Sequence, residues 1–402
     1  MMLDKLIFLN GWKSQFLSPK SIKPINMKTA IIQLFLVIFL FSCTSKPVPP
    51  TINPQAFDKV IDGKQVKLFT LKNQKGMEIT VTNWGGRIVS WLVPDKKGIK
   101  EDVVFGYDSI NGYLNAKENY FGAAIGRYGN RIAKGEFSIG DIHYKLAQNN
   151  GVNSLHGGVN GFSKKMWDVV QKDAGELSLK LVSPDMDEGY PGELSVSMVY
   201  RLTNDNELVI RYEAKCNKTT IINLTNHSYF NLHGAGNGTI LDHLLTLNAD
   251  FFTPIDSTLI PTGELTPVGN TPFDFRTATP IGSKINSEDQ QIRFGLGYDI
   301  NYVLNKTADQ NVSLAASVFE PESGRLLEVF TDQPGIQFYT GNFLDGKYPG
   351  KKGKTYGYRT GFCLETQHYP NSPNQPEFPS VQLDPDQVYS HTCIYKFSVK
   401  NY

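Results

Sequence analysis

Residues 194–214 read LSVSMVYRLTNDNELVIRYEA, and this stretch decides the fold class. From Leu194 to Leu202 apolar and polar residues alternate, so Leu194, Val196, Met198 and Tyr200 share one face of an extended chain. A period of two is the signature of a half-buried strand. Asn and Asp interrupt the run at 204–206, and a second apolar run follows over Leu208–Ala214. Working outward, similar short runs recur at Glu78–Val81, Arg87–Val93, Leu177–Val182, Leu326–Thr331, Ile336–Thr340, Phe362–Thr366 and Thr392–Val399. Gly and Pro clusters at 189–192, 234–238 and 346–357 mark loops between them. After residue 55 no window of about 12 residues carries a helical stripe. Strand follows strand without an intervening helix. The expectation is therefore an all-β protein, a large antiparallel β-sandwich, and not a parallel α/β sheet. No linker, composition shift or repeat of roughly 20–50 residues divides 55–402, which read as one domain.

Composition agrees. The chain has 402 residues, 40% hydrophobic and 20% charged, enough to bury a sizeable core and too apolar for global disorder. An aromatic content of 12%, with 36 Gly and 22 Pro, favours strands and turns over helices. Forty Lys and Arg against 39 Asp and Glu give a net charge of +1, which argues against nucleic-acid binding, since that needs a basic face. Four cysteines cannot form a disulfide framework, and Cys216, Cys363 and Cys393 are expected as thiols.

Residues 1–42 read as a signal region. From Met27 a short basic start leads into the apolar run Ala30–Phe41 and then Ser42-Cys43, the layout of a secretory signal over 27–42. Residues 1–26 precede this second start and read as an over-extended gene start. The apolar run is too short for a spanning helix, which needs about 20 residues. Leu40-Phe41-Ser42-Cys43 resembles the lipobox of bacterial lipoproteins, which implies a lipidated Cys43 as the mature N-terminus. Removing 1–42 takes away five Lys and one Asp, leaving 35 basic and 38 acidic residues, net −3 over 360 residues. Residues 43–54 form a Pro-rich tether, extended and semi-rigid. The expected location is the bacterial cell envelope, with the membrane reached only through the lipid.

Several chemistries find no support. Gly234-Ala-Gly236-Asn-Gly238 lacks the strand–turn–helix setting of a dinucleotide loop. Asp185-Met-Asp187-Glu188-Gly189 has the wrong later spacing for a calcium loop and reads as a solvated turn. The seven histidines include no zinc spacing, and no nucleophile elbow is present. No metal ligand set is visible.

What remains is polar groups set where strands should be apolar. In Ile222–Leu232, Asn223, Thr225, His227 and Tyr229 share one strand face. A His so flanked suits general acid chemistry, and it suits a structural role as well. Glu365 lies inside the apolar run Gly361-Phe-Cys-Leu-Glu-Thr-Gln-His368, on one face with Cys363 and Gln367. A carboxylate there is costly unless it is paired or used, so a base and an Arg-paired structural Glu both fit. Asn130, Arg131 and His156, near turns, can grip hydroxyl groups, and Gln337 and Tyr339 share a strand face.

Six motifs in order resemble the aldose 1-epimerase (galactose mutarotase) family: Gly126–Ile132, Asn153–Gly158, Ser183–Gly192, Asn223–Leu232, Gln333–Gly346 and Gly361–Gln367. The resemblance covers about Asp62 to Ser398 and implies that family's antiparallel β-sandwich. It implies His227 as general acid, Glu365 as general base, and Asn130, Arg131, His156, Tyr229, Asp299 and Gln337 as substrate-gripping residues. Ile300 stands where the family usually has a His, and Tyr128-Gly129 where Val-Ala is common. The implied activity is an isomerase acting on a free monosaccharide such as galactose or glucose, without a required cofactor; a bound cation such as calcium has no visible ligands. A monomer is expected. Three other readings compete: a non-catalytic sugar-binding lipoprotein on the same fold, a glycoside hydrolase, and a hexose-phosphate epimerase.

Overall fold

The hairpin at the centre of the sequence reading is also central to the sheet. Leu194–Leu202 pairs antiparallel with Glu207–Cys216, with Val196 opposite Ala214, Met198 opposite Tyr212 and Tyr200 opposite Ile210. A computed structural model describes residues 52–116, 120–306 and 311–400. Cys43 and the signal region lie outside the described residues.

These two strands belong to a nine-stranded sheet that also takes in Asp168–Asp173, Glu176–Ser183, Tyr389–Val399, Arg325–Thr331, Ser313–Phe319, Leu244–Leu247 and Thr279–Pro280. A six-stranded sheet runs in the order Tyr229–Phe230, Phe362–Gln367, Gly335–Tyr339, Asp299–Leu304, Ala249–Thr253, Thr266–Pro267. A four-stranded sheet, Leu68–Lys72 to Lys100–Asp102, and five two-stranded pairs complete the set among the described residues. Every ladder is antiparallel. The antiparallel all-β architecture expected from the pattern is the one observed.

One core joins the three sheets. Leu179, Met198 and Tyr212 of the large sheet pack in the same buried cluster as Ile336, Phe338, Phe362 and Leu364 of the six-stranded sheet and Ile79 and Trp91 of the four-stranded one. Fully burying a side chain of this size contributes roughly 1.5–3 kcal/mol. Across the sheets, the Tyr395 hydroxyl donates to the carbonyl of Leu364 at 2.9 Å.

The six-stranded sheet sets up the chemistry. Four of its strands, Tyr229–Phe230, Phe362–Gln367, Gly335–Tyr339 and Asp299–Leu304, are buried on both faces save for the half-buried Val303, yet their inward and outward residues differ in kind. Ile300, Tyr302, Ile336, Phe338, Phe362 and Leu364 point to the apolar core. By the two-residue period, Asp299, Gln337 and Glu365 project from the opposite face. Register sets Gln337 directly opposite Glu365 and Asp299 opposite Tyr339, two residues along the strand from Gln337.

Three features depart from the sequence reading. Asp299–Leu304, Ser313–Phe319 and Ala249–Thr253 are strands without a clear alternation in sequence. Two α-helices, Ile110–Asn115 and Gln290–Gly295, occur among the described residues, each six residues long and too short for a helical stripe. The segment expected as one strand from Ile222 to Leu232 is broken: Thr225–His227 pairs with Ala123–Ile125, and Tyr229–Phe230 pairs with Phe362–Gln367. The break falls at Ser228, whose amide and hydroxyl both donate to Asn226 Oδ1, a local bond that competes with ladder pairing.

Candidate active site

The outer face of the six-stranded sheet floors a cleft of about 860 Å³. That volume falls within the range of small-molecule sites, roughly 300–1,000 Å³. Asn130, Arg131, His156, His227, Tyr229, Asp299 and Glu365 all line it, although up to 235 residues separate them in sequence. Gln337 lies just behind the lining, 3% exposed, and donates its amide to Asp299 Oδ1 at 2.6 Å.

Glu365 is brought to the floor by strand parity. Its Oε1 lies 3.7 Å from His227 Nε2, and both side chains are at most 5% exposed. No hydrogen-bond partner reaches its Oε2 among the described residues. The Arg-paired structural alternative does not hold, because Arg131 pairs with Asp299 instead, Nη2 to Oδ2 at 3.5 Å. Burial raises the Glu365 pKa well above the usual carboxylate value, the nearby Asp299 charge raises it further, and Arg131 opposes both. Glu365 therefore holds its proton more tightly than an exposed carboxyl group.

His227 ends a three-residue strand opposite Ala123. Its ring lies nearly parallel to Tyr229, centroids 4.9 Å apart at 12°, and to Tyr120, 5.7 Å apart at 14°. His156 meets it edge-on at 4.9 Å. Its Nδ1 is 3.4 Å from Cys363 Sγ. Burial lowers the His227 pKa to about 3, opposed by a hydrogen bond to its own backbone and reinforced by Arg87 and Arg131, so the ring is neutral near neutral pH. The pair thus favours a proton on the carboxyl and none in excess on the imidazole.

The turns that carry the remaining residues are backbone devices. Asn130 and His156 both adopt left-handed φ, 63° and 51°. They are tied to each other: the Asn130 amide donates to His156 Nδ1 at 3.2 Å, and the His156 amide donates to the Asn130 carbonyl at 3.0 Å. With Nδ1 accepting, a neutral His156 carries its proton on Nε2. Burial pushes the His156 pKa well down, helped by His227 and Arg131. Arg131 is held by its Nε bond to Asn150 Oδ1 at 3.1 Å as well as by Asp299.

Sequence reasoning missed Tyr120, Asn150, Thr258 and Phe343 as cleft residues, and noted Tyr339 only as a strand-face partner of Gln337. Only the Asn149-Asn150-Gly turn and the Gln337–Tyr339 parity carried any signal. The motif Ser183–Gly192 lies elsewhere in role. Arg127 donates from its guanidinium to the carbonyls of Ser183, Pro184, Pro191 and Gly192 at 2.8–3.2 Å, so that motif wraps a buried cation. Ile300, where the family usually has a His, turns into the core and does not touch the cleft.

Two ligand sets that no sequence spacing revealed are assembled by folding. His156, His227 and Glu365 offer ligand atoms within 4.8 Å of one another, as do His233, Asp242 and His243. In the second set the Leu232 amide donates to His243 Nε2 at 3.0 Å, which places the His243 proton on Nδ1, facing Asp242 Oδ1. That nitrogen serves Asp242 as a donor and is not open to a metal.

The sequence pattern of the family described as aldose 1-epimerase matches residues 67–396. Galactose mutarotase from Sus scrofa is 48% identical over 334 residues, covering 83% of this chain and 94% of that protein. Among solved structures, an aldose epimerase homologue from C. elegans superposes with a TM-score of 0.77 at 31% identity, covering 84% of this chain and 100% of the other. Galactose 1-epimerase from Lactobacillus acidophilus NCFM gives a TM-score of 0.74 at 30% identity, covering 85% and 97%.

Proposed function

This chain belongs to the aldose 1-epimerase family, and from that premise we propose that it interconverts the α and β anomers of free hexoses such as galactose and glucose. The observation that carries the reading is the buried Glu365–His227 pair, 3.7 Å apart on the floor of the cleft. Anomer exchange requires the ring to open, the C1–C2 bond to rotate, and the ring to close on the other face of the aldehyde. The C1 hydroxyl and the ring oxygen sit on the same carbon, so one base and one acid a few ångströms apart serve both.

Glu365 takes the proton of the C1 hydroxyl while His227 Nε2–H protonates the ring oxygen, and the C1–O5 bond breaks. The products are the open-chain aldehyde, a protonated Glu365 and a neutral His227. Closure runs the same transfers backwards on either aldehyde face. One proton shared by the pair is thus used and returned in each cycle. Burial favours the arrangement with that proton on Glu365, which is the state that meets the open chain. Arg131, Asn130, His156, Asp299 and Tyr229 surround the sugar, with Gln337 bracing Asp299. Acid, base and grip all come from one chain, so a monomer suffices.

The rival readings fit this geometry less well. A glycoside hydrolase needs two carboxylates flanking the bond, and the other two carboxylates of the cleft are engaged, Asp299 by Gln337 and Arg131 and Asp345 by Lys347. A sugar phosphate needs clustered cations, and Arg131 is the one Lys or Arg lining the cleft among the described residues. The test is the polarimetric decay of freshly dissolved α-galactose, corrected for its spontaneous rate. Acceleration by the purified protein is expected; no acceleration with either galactose or glucose, alongside measurable sugar binding, would point to the non-catalytic reading.

We propose further that the mature chain is a lipoprotein of the bacterial cell envelope, anchored at Cys43. Support comes from the Ala30–Phe41 run, the Ser42-Cys43 junction and the prolines that follow. Cys43→Ser is expected to release the protein from membranes with its activity intact. A wild-type chain that takes up no labelled fatty acid would sink the idea.

A further inference from the structure

The strand that supplies the base also touches the acid from behind. Cys363 precedes Glu365 by two residues, so both side chains leave Phe362–Gln367 on the same face. Cys363 is fully buried and stands opposite Tyr229 in the register. Its Sγ lies 3.4 Å from His227 Nδ1, while the other ring nitrogen, Nε2, faces Glu365 Oε1 at 3.7 Å. The imidazole is therefore addressed at both ends by one strand.

The two ends have different duties in the reaction proposed above, on which this inference rests. Nε2 must alternate, carrying a proton before ring opening and being bare afterwards so that it can take the proton back. A neutral imidazole has one N–H, so while Nε2 is bare the remaining proton has to stay on Nδ1. We propose that Cys363 is a positioning residue whose sulfur accepts the Nδ1–H bond of His227, holding the ring in the tautomer that leaves Nε2 as the travelling site. No electrons move and no proton leaves Nδ1; the proton that Nε2 gives to the ring oxygen returns to Nε2 on closure.

The choice of sulfur matters. A thiol is a weak acceptor, enough to orient a buried N–H but too weak to stabilise the imidazolium strongly. A carboxylate in its place would hold the positive ring and slow proton delivery. The Tyr229 ring, nearly parallel to that of His227, resists the flip that would exchange the two nitrogens.

The direct test is nitrogen-15 NMR of the full chain with labelled histidine, assigned by loss of the His227 signals in His227→Asn. The expected result near neutral pH is a protonated Nδ1 and an unprotonated Nε2. The reverse tautomer in the wild type would overturn the inference, whatever the enzyme's activity. Kinetics give the second arm. Cys363→Ala is expected to lower kcat on the order of tenfold with KM nearly unchanged, and Cys363→Ser, which keeps an acceptor, to recover most of the loss. If Cys363→Ala keeps both the wild-type tautomer and the wild-type kcat, the sulfur does not position the ring. Absence of turnover in the wild type would instead defeat the epimerase reading and leave the tautomer result standing.

Discussion

Glu365→Gln keeps the size and hydrogen-bonding reach of the side chain and removes the proposed base. Turnover is expected to fall about 10²–10⁴-fold while sugar binding survives. His227→Asn should lose a similar factor through loss of the proton donor. Because the two exchange one proton in concert, the double variant should be little slower than either single one. Polarimetry on the three variants checks this, and near-wild-type kcat in Glu365→Gln would mean that another group is the base. Proton sharing also fixes a pH sign. The pair must hold one proton, and Asp299 is one cause of the raised Glu365 pKa. Asp299→Asn removes that charge and leaves Arg131 unopposed, so the alkaline fall in kcat should move to lower pH. A kcat profile at saturating sugar measures it, and an unmoved alkaline limb would show that Glu365 does not set it.

At the scale of turns and strands, the hinge of the site is Gly157, next to His156. It sits at φ 83°, and a Cβ there would lie 1.9 Å from the carbonyl oxygen of Gly126. Gly157→Ala has to move backbone, so it should cost about 1–3 kcal/mol in urea unfolding and raise KM by displacing His156. Unchanged stability and KM would mean that the turn is softer than its packing implies. Strands with strong alternation were legible in the sequence to within two or three residues: Leu194–Leu202 matched its bounds, and Leu208–Ala214 grew by one residue at the start and two at the end. Asp299–Leu304 was not, because its polar Asp299 lines the cleft and its Asn301 is buried against Gln367, and periodicity cannot see what a face is turned toward. For the same reason His227 and Glu365 stood out as misplaced polar groups, yet their 3.7 Å approach came only from folding, which sets side by side two residues 138 apart on strands that do not pair with each other. Of the residues proposed to grip the sugar, Asn130, Arg131, His156, Tyr229 and Gln337 gave a weak signal of their own as polar groups at turns or on strand faces, and Asp299 was nameable only through the family resemblance.

The whole molecule stores neutral imidazoles in its interior. His391 and His368 are lowered to about 4 and His227 to about 3 from 6.5, in each case chiefly by burial. A depressed pKa in the folded state means that the unfolded chain binds more protons between those values. Stability is therefore fully present above about pH 6.5 and drains away as pH falls toward 4, by on the order of 3 kcal/mol per such histidine. Urea midpoints measured at pH 7, 5.5 and 4.5 should fall in that order; a flat series would show that these rings accept protons without cost. The alternating faces of Phe362–Gln367 bear on heredity as well as on chemistry. A single-residue insertion or deletion between Phe362 and Glu365 would reverse the parity of everything beyond it, turning the carboxylate into the oily interior and Leu364 or its neighbour out toward the sugar. Lineages descending from this gene can trade side chains along that strand, but its length is closed to them, and length variation among relatives should collect in the loops on either side.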